Sequence, residues 1–169
     1  MAEPARDPAA LAAKTVYDLL VQHLRDDRGV HAETALCAAG AIVGDAIAAG
    51  GGPAHELIAR VLTYVRDRCA ILNVALPPTD DAPPDAAEAP HRDAQSLAAE
   101  LRDGVVDVLR DMRVAQDDAP FVIARCIPAL LSNTAAVLDA RVGYGIAVHA
   151  LRATAGQPHA PSPACSQEN

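Results

Sequence analysis

Aromatic side chains are nearly absent from this chain of 169 residues, which has one Phe, three Tyr and no Trp. Proteins that bind single-stranded nucleic acid stack the bases on aromatic side chains, and this chain has too few of them. β-Sandwiches and barrels depend on β-branched and aromatic residues, so these folds are disfavoured as well. The abundant residue is alanine, with 38 copies, and alanine is the strongest helix former. The composition therefore predicts an all-α protein.

Positive charge is also scarce, because Lys14 is the single lysine and the net charge is −8 at pH 7. Nucleic acids and anionic membranes are bound through a basic surface, so we expect neither as a partner. The 13 arginines, together with the abundant Ala and Pro, are typical of a GC-rich genome and indicate a bacterial source.

Cysteine occurs four times, and no pair has the short spacing of a metal site. Cys37, Cys69 and Cys126 lie in apolar helical patterns, where cysteine behaves as a small buried hydrophobe. The first residues contain no apolar segment typical of a signal peptide. The longest uncharged apolar stretch, residues 34–44, is too short to span a bilayer. These features predict a reduced, cytoplasmic protein without a membrane segment.

Hydrophobic periodicity predicts a single helical domain over residues 8–155. Its first half, residues 8–76, has three helices, and its second half, residues 94–155, has two or three. Residues 77–93 hold five Pro and five acids against one Arg, which predicts a flexible linker. Residues 156–169 are expected to form a disordered tail. The predicted architecture is an all-α bundle of five to six helices with a long acidic, Pro-rich connection.

The expected helices cover residues 8–26, 32–49, 54–75 and 93–114 and a long fifth pattern from Pro120 to Ala155. Pro128 lies inside the fifth pattern and is expected to kink or split it, since proline lacks the backbone donor of a helix interior. Gly143 and Gly145 mark positions where the end of this pattern is expected to bend.

The second expected helix carries small residues at four-residue spacing in the series Leu36, Gly40, Gly44 and Ala48. A glycine in a helix interior costs about 1 kcal/mol relative to alanine. Two glycines one turn apart therefore indicate that another group approaches the backbone closely. A helix of the same chain, a second subunit and a ligand are all compatible with this packing or interface surface.

Several His and carboxylate side chains of the first half have the chemistry of a Zn²⁺, Mn²⁺ or Fe site. They are His31, Glu33, Asp45, His55 and Glu56. Antiparallel packing of the second and third helices would place His31 and His55 at opposite ends, which argues against one shared site. Glu33 and Glu56 also fit the first turn of a helix, where acids complement the dipole. Asp45 fits equally well as an acceptor for an Arg or Tyr inside the bundle.

The third expected helix places Arg60, Tyr64 and Arg68 one turn apart. This series is a candidate for binding a phosphate or carboxylate, and the same side chains can cover the bundle surface with their stems. Tyr144, flanked by two glycines, is a further candidate, because a ligand would find room there. The fourth helix carries a column of acids that we interpret as a solvated surface: Glu100, Asp103, Asp107 and Asp111.

These candidates form no coherent catalytic set. The first hypothesis is therefore a non-enzymatic helical interaction module that self-associates as a homo-oligomer, such as a homodimer, and needs no cofactor. The rival hypothesis is a small-molecule- or metal-dependent enzyme. Its site would use the His and carboxylate side chains of the first half, together with His23.

Overall fold

The computed structural model describes residues 7–80 and 92–156. Within these ranges there is no β-strand, and the helices are α1 (Pro8–Leu24), α2 (Ala32–Ala49), α3 (Ala54–Ile71), α4 (Ala94–Asp111), α5 (Ala119–Ala124), α6 (Cys126–Thr134) and α7 (Ala140–Ala155). The predicted all-α bundle is thereby confirmed. Only Arg125 separates α5 from α6, so the two form one broken helix. Most of the predicted linker, and nearly all of the predicted tail, lie outside the described residues.

Helix α2 lies at the centre of the bundle. It contacts each of the other six helices, and 13 of its 18 residues are buried. By length and composition alone it is apolar enough to cross a membrane, with a mean hydropathy of 1.4, but 72 % of it is buried inside the bundle. A helix that is apolar on all sides is also the pattern of a buried core helix.

The contacts give the directions of the helices around α2. Helix α7 runs parallel to α2, because Gly40 lies against Ala147 and the later residue Gly44 lies against the later residue Leu151. Helix α4 is parallel as well. Cys37 Sγ lies 3.9 Å from the Arg92 carbonyl oxygen, and the later residue Asp45 pairs with the later residue Arg102. Helix α1 is antiparallel to α4, because Leu19 packs at Gly104 and His23 bonds to Glu100.

Helices α3 and α4 end earlier than the sequence predicts, and they end in the same way. Asn73 and Arg113 both adopt a left-handed backbone with φ of 56°. The next residue then bonds back across the last turn, from Val74 N to Cys69 O and from Val114 N to Leu109 O, each at 2.9 Å. This is the helix-ending arrangement that glycine usually provides. Glycine is absent from both positions, so the usual signal for a helix end is missing, although asparagine is sometimes found there.

The fifth pattern splits as expected, but it also breaks at a second point. Helix α5 ends at Ala124, four residues before Pro128, where the proline ring would clash with the carbonyl group. The predicted continuation to Ala155 is wrong, because α6 ends at Thr134 and α7 begins at Ala140. Asp139 caps α7 by accepting a hydrogen bond from Arg141 N. Helix α7 then runs through both of its glycines without interruption.

Candidate functional site

The small residues of α2 lie against α7 of the same chain. A Cβ atom added at Gly40 would lie 2.0 Å from the backbone oxygen of Ala147, and one at Gly44 would lie 2.3 Å from that of Leu151. Leu36, one turn earlier, packs at Gly143 of α7. We call this contact the α2–α7 seam. Its glycines are therefore covered within the chain, while Ala48, the last member of the series, is half-buried.

The buried hydroxyl of Thr154 closes the seam near its end. It donates to the carbonyl oxygen of Ala41 at 2.9 Å and also lies within hydrogen-bond distance of Ala150 O. A Cβ atom at Gly44 would meet this hydroxyl at 1.9 Å. Glycine at position 44 thus leaves room both for the α7 backbone and for a hydrogen bond between the two helices.

The candidate metal ligands lie in different parts of the bundle. His31 and Glu33 are at the start of α2, whereas His55 and Glu56 are at the start of α3, beyond the other end of α2. His23 and His31 line one cleft at the corner between α1 and α2. Within residues 7–80 and 92–156, however, no group of three or more His, Cys, Asp or Glu side chains is placed to hold a metal ion.

The acids near these positions bind neighbouring cations. Asp45 accepts two hydrogen bonds from Arg102, at 2.8 Å and 2.5 Å, which joins α2 to α4. An arginine is one of the two partners that the sequence suggested for Asp45, but the pair lies at the edge of the bundle, since the Arg102 side chain is 40 % exposed. Glu100 pairs with His23 and Arg92, and these contacts hold the pKa of its carboxyl below the usual range. Asp107 pairs with Arg110 on the surface of α4.

The three candidates on α3 have separate partners. The Arg60 guanidinium lies 5.3 Å from the centre of the Phe121 ring, which forms an edge-on contact with Tyr64. The Tyr64 hydroxyl accepts a hydrogen bond from Arg125 Nε at 2.8 Å. Arg68, one turn further on, lines a cleft between helices. The series therefore does not form one binding surface, because Tyr64 lines a cleft beside Phe121 and Arg125, whereas Arg68 borders another opening.

This opening, which we call the α1/α3/α6 cleft, has a volume of about 370 Å³. Its polar lining consists of Lys14, Tyr17, Asp18, Arg68, Arg125 and Asn133. Its apolar lining is made of Ala10, Ala13, Cys126 and Ala129. Apart from Arg68, the sequence did not predict this set, because its members come from α1, α3 and the region around α6, which are far apart in the chain. Three cations at one opening are notable in a chain whose net charge is −8.

Tyr144 is buried, and its hydroxyl donates a hydrogen bond to Asp80 at 2.6 Å. Arg66 donates to the same carboxylate oxygen and lies over the Tyr144 ring, 5.2 Å from its centre. Burial alone would raise the pKa of Asp80, but the hydrogen bonds from Tyr144 and Arg66 lower it overall. Asp80 thus fixes the start of the predicted linker to α3 and α7, and the sequence did not single it out.

The described cysteines are buried free thiols. Burial raises the pKa of Cys37 and Cys69 to about 11 and that of Cys126 to about 12. The thiolate is the reactive form of cysteine, so these residues are inert at neutral pH and act as packing groups.

Comparison of the chain with protein-family models, with curated proteins and with solved structures finds no match.

Proposed function

We propose that this chain is a non-enzymatic helical module that self-associates through one end of its bundle. The observation that carries the proposal is the position of the exposed apolar side chains. In the described ranges, the large ones are Leu11, Ile71, Leu72, Val106 and Val137. Three of these five lie where α3 ends and where α6 turns into α7.

The directions of the helices support placing these three residues at the same end. Tyr64 of α3 accepts a hydrogen bond from Arg125, just before α6. Arg66, further along α3, lies over the ring of Tyr144, which follows the end of α6. Helices α3 and α6 therefore run in the same direction. Ile71, at the end of α3, and Val137, after the end of α6, are 68 % and 79 % exposed. We call this region the apolar end.

The proposed occupant of the apolar end is a second copy of the chain. A two-fold contact places the same surface of each copy against itself, so apolar side chains meet apolar side chains. The apolar end also carries both signs of charge, because Asp139 and Arg141 follow Val137 in the chain. The acid of one copy can therefore face the arginine of the other. Burial of each large apolar side chain contributes about 1.5–3 kcal/mol.

Sedimentation velocity over a range of micromolar concentrations tests the proposal. We expect the wild-type chain to associate over this range. The double variant Ile71→Lys, Val137→Lys places like charges in the contact and should remain monomeric. Val106→Lys, which changes an exposed valine on α4, is the matched control and should associate as the wild type does. A wild-type chain that stays monomeric throughout would contradict the proposal.

A further inference from the structure

We propose that the α1/α3/α6 cleft binds a small monocarboxylate, with Arg68 holding the carboxylate group and the alanines of the cleft packing against a compact apolar group. This inference does not rest on self-association, because the residues that line the cleft differ from the exposed apolar residues of the apolar end.

The charge balance of the cleft favours an anion with a single charge. Lys14 pairs with Asp18 at 2.5 Å. Arg125 pairs with Asp7 at 3.2 Å. Within residues 7–80 and 92–156, Arg68 forms no ion pair, unlike the other two cations of the cleft. One uncompensated guanidinium matches one carboxylate, to which it can donate two parallel hydrogen bonds.

Two further donors of the cleft are already held in place. Arg125 uses Nε for the Tyr64 hydroxyl and Nη1 for Asp7, and the hydrogen bonds among the described residues do not use its Nη2 group. The Tyr17 oxygen accepts a hydrogen bond from Asn133 Nδ2 at 2.8 Å, so the Tyr17 hydroxyl still has a proton to donate. Donors that are fixed before a ligand arrives lose little conformational entropy on binding.

The apolar lining limits the size of the ligand. Ala10, Ala13 and Ala129 have no side chain beyond Cβ, and the opening that remains is about 370 Å³. This volume is near the lower limit for small-molecule sites, which span about 300–1,000 Å³. The fourth member, Cys126, is buried, and its thiol donates to the Ala13 carbonyl at 3.6 Å, so it belongs to the wall. An aromatic ring or a short branched chain fits such a space.

Titration of the ¹⁵N-labelled full chain with benzoate, followed by NMR, is the direct test. Benzoate should give saturable shifts of the amide signals of α1 and α6 around Ala13 and Ala129. Benzamide has the same shape without the charge and should bind at least about tenfold more weakly, since it loses the charge-assisted hydrogen bonds. Inorganic phosphate, which has no apolar group, should bind more weakly than benzoate. The absence of saturable shifts at millimolar benzoate, or equal binding of benzamide, would overturn the proposal.

A pair of arginine variants assigns the binding to the cleft. Arg68→Gln keeps a polar side chain of similar length but removes the charge, and should weaken benzoate binding about tenfold. Arg110→Gln changes another exposed helical arginine, on α4, and should leave the affinity unchanged. Circular dichroism checks that both variants keep the helical content of the wild type. An equal loss in both variants would show that benzoate responds only to the overall charge, and this outcome also rejects the proposal.

Discussion

The α2–α7 seam and the α1/α3/α6 cleft are both built from small residues, yet one is closed and the other is open. In the seam, the missing side chains of Gly40 and Gly44 let the backbone of α7 come into contact with α2. In the cleft, the small side chains of Ala10, Ala13 and Ala129 leave about 370 Å³ unfilled. A row of small residues therefore does not by itself predict either a close helix contact or an open cleft. The path of the neighbouring helix decides whether contact or space results.

The seam closes because the two helices share a direction and a spacing. Leu36, Gly40 and Gly44 advance by four along α2, and the positions they meet on α7 advance by four as well. The match therefore continues for more than two turns. The backbone oxygen of Ala147 lies where a side chain at position 40 would be.

The largest expected effect is that of Gly40→Ala, which breaks the seam. The added Cβ would lie 2.0 Å from the backbone oxygen of Ala147, and a backbone atom moves only if a helix moves. We expect the free energy of unfolding to fall by about 3 kcal/mol, near the upper end for overpacking. Urea denaturation followed by circular dichroism measures this change.

Gly104→Ala is the matched control for this prediction. Position 104 also lies inside a helix, but its added Cβ would meet the end of the Leu19 side chain at 2.9 Å, and a side chain can rotate away. The gain in helix propensity, about 1 kcal/mol, offsets this adjustment, so we expect little change in stability. If the two variants lose equal stability, the backbone contact is not what distinguishes the seam.

The two regions also differ in their charged groups, and the stability of Asp80→Asn tests this difference. The Asp80 carboxylate, beside the seam helix α7, accepts hydrogen bonds from Tyr144 and Arg66. Asparagine removes its charge, which should cost about 1–2 kcal/mol at neutral pH. Arg68→Gln, in the cleft, removes a charge that has no ion-pair partner among the described residues and should cost less than about 0.5 kcal/mol. Thermal or urea denaturation of both variants gives the comparison, and equal losses would contradict it.

The pH dependence of this loss identifies its origin. Burial acts to raise the pKa of Asp80, but the hydrogen bonds from Tyr144 and Arg66 lower it below its ordinary value in the folded chain. Because its pKa is lowered on folding, the charged Asp80 carboxylate stabilises the fold at pH values above its ordinary pKa of 3.8. This stabilisation is lost as the pH falls through 3.8 toward the lower pKa of the folded chain. The difference between the wild type and Asp80→Asn should therefore be largest at neutral pH and shrink below about pH 4. A difference that does not change with pH would contradict the assignment to the charged carboxylate.

The fold could be predicted from the sequence where the signals are local. Alanine content and apolar periodicity give the helices, and Gly50 to Pro53 gives the end of α2 at Ala49. The ends of α3 and α4 were missed, because the residues that adopt positive φ there are Asn73 and Arg113, which are weaker signals than glycine. The break before α7 was missed because Asp139 is its principal signal, and a single aspartate inside an apolar pattern is a weak one.

The candidate sites, like the helices, could be predicted only where the signal lies in one local stretch of sequence. The glycine spacing of α2 indicated a close approach, because one helix carries the whole signal. The cleft could not be predicted, since Lys14, Arg68 and Arg125 come from three separate parts of the chain. Only the fold brings them to one opening.

The smallest expected effect, that of Ala129→Leu, tests whether the cleft is space that the fold does not need. Ala129 is half-buried and borders the opening, so a leucine side chain can extend into it without meeting backbone. We expect the free energy of unfolding to change by less than about 0.5 kcal/mol. Ala147→Leu places the same larger side chain in the seam, where Ala147 is fully buried, and should be strongly destabilising. Urea denaturation compares the two variants, and a benzoate titration of Ala129→Leu should show weaker binding because the added side chain occupies the proposed site. If Ala129→Leu is as destabilising as Ala147→Leu, the cleft is packed as tightly as the seam and has no room for a ligand.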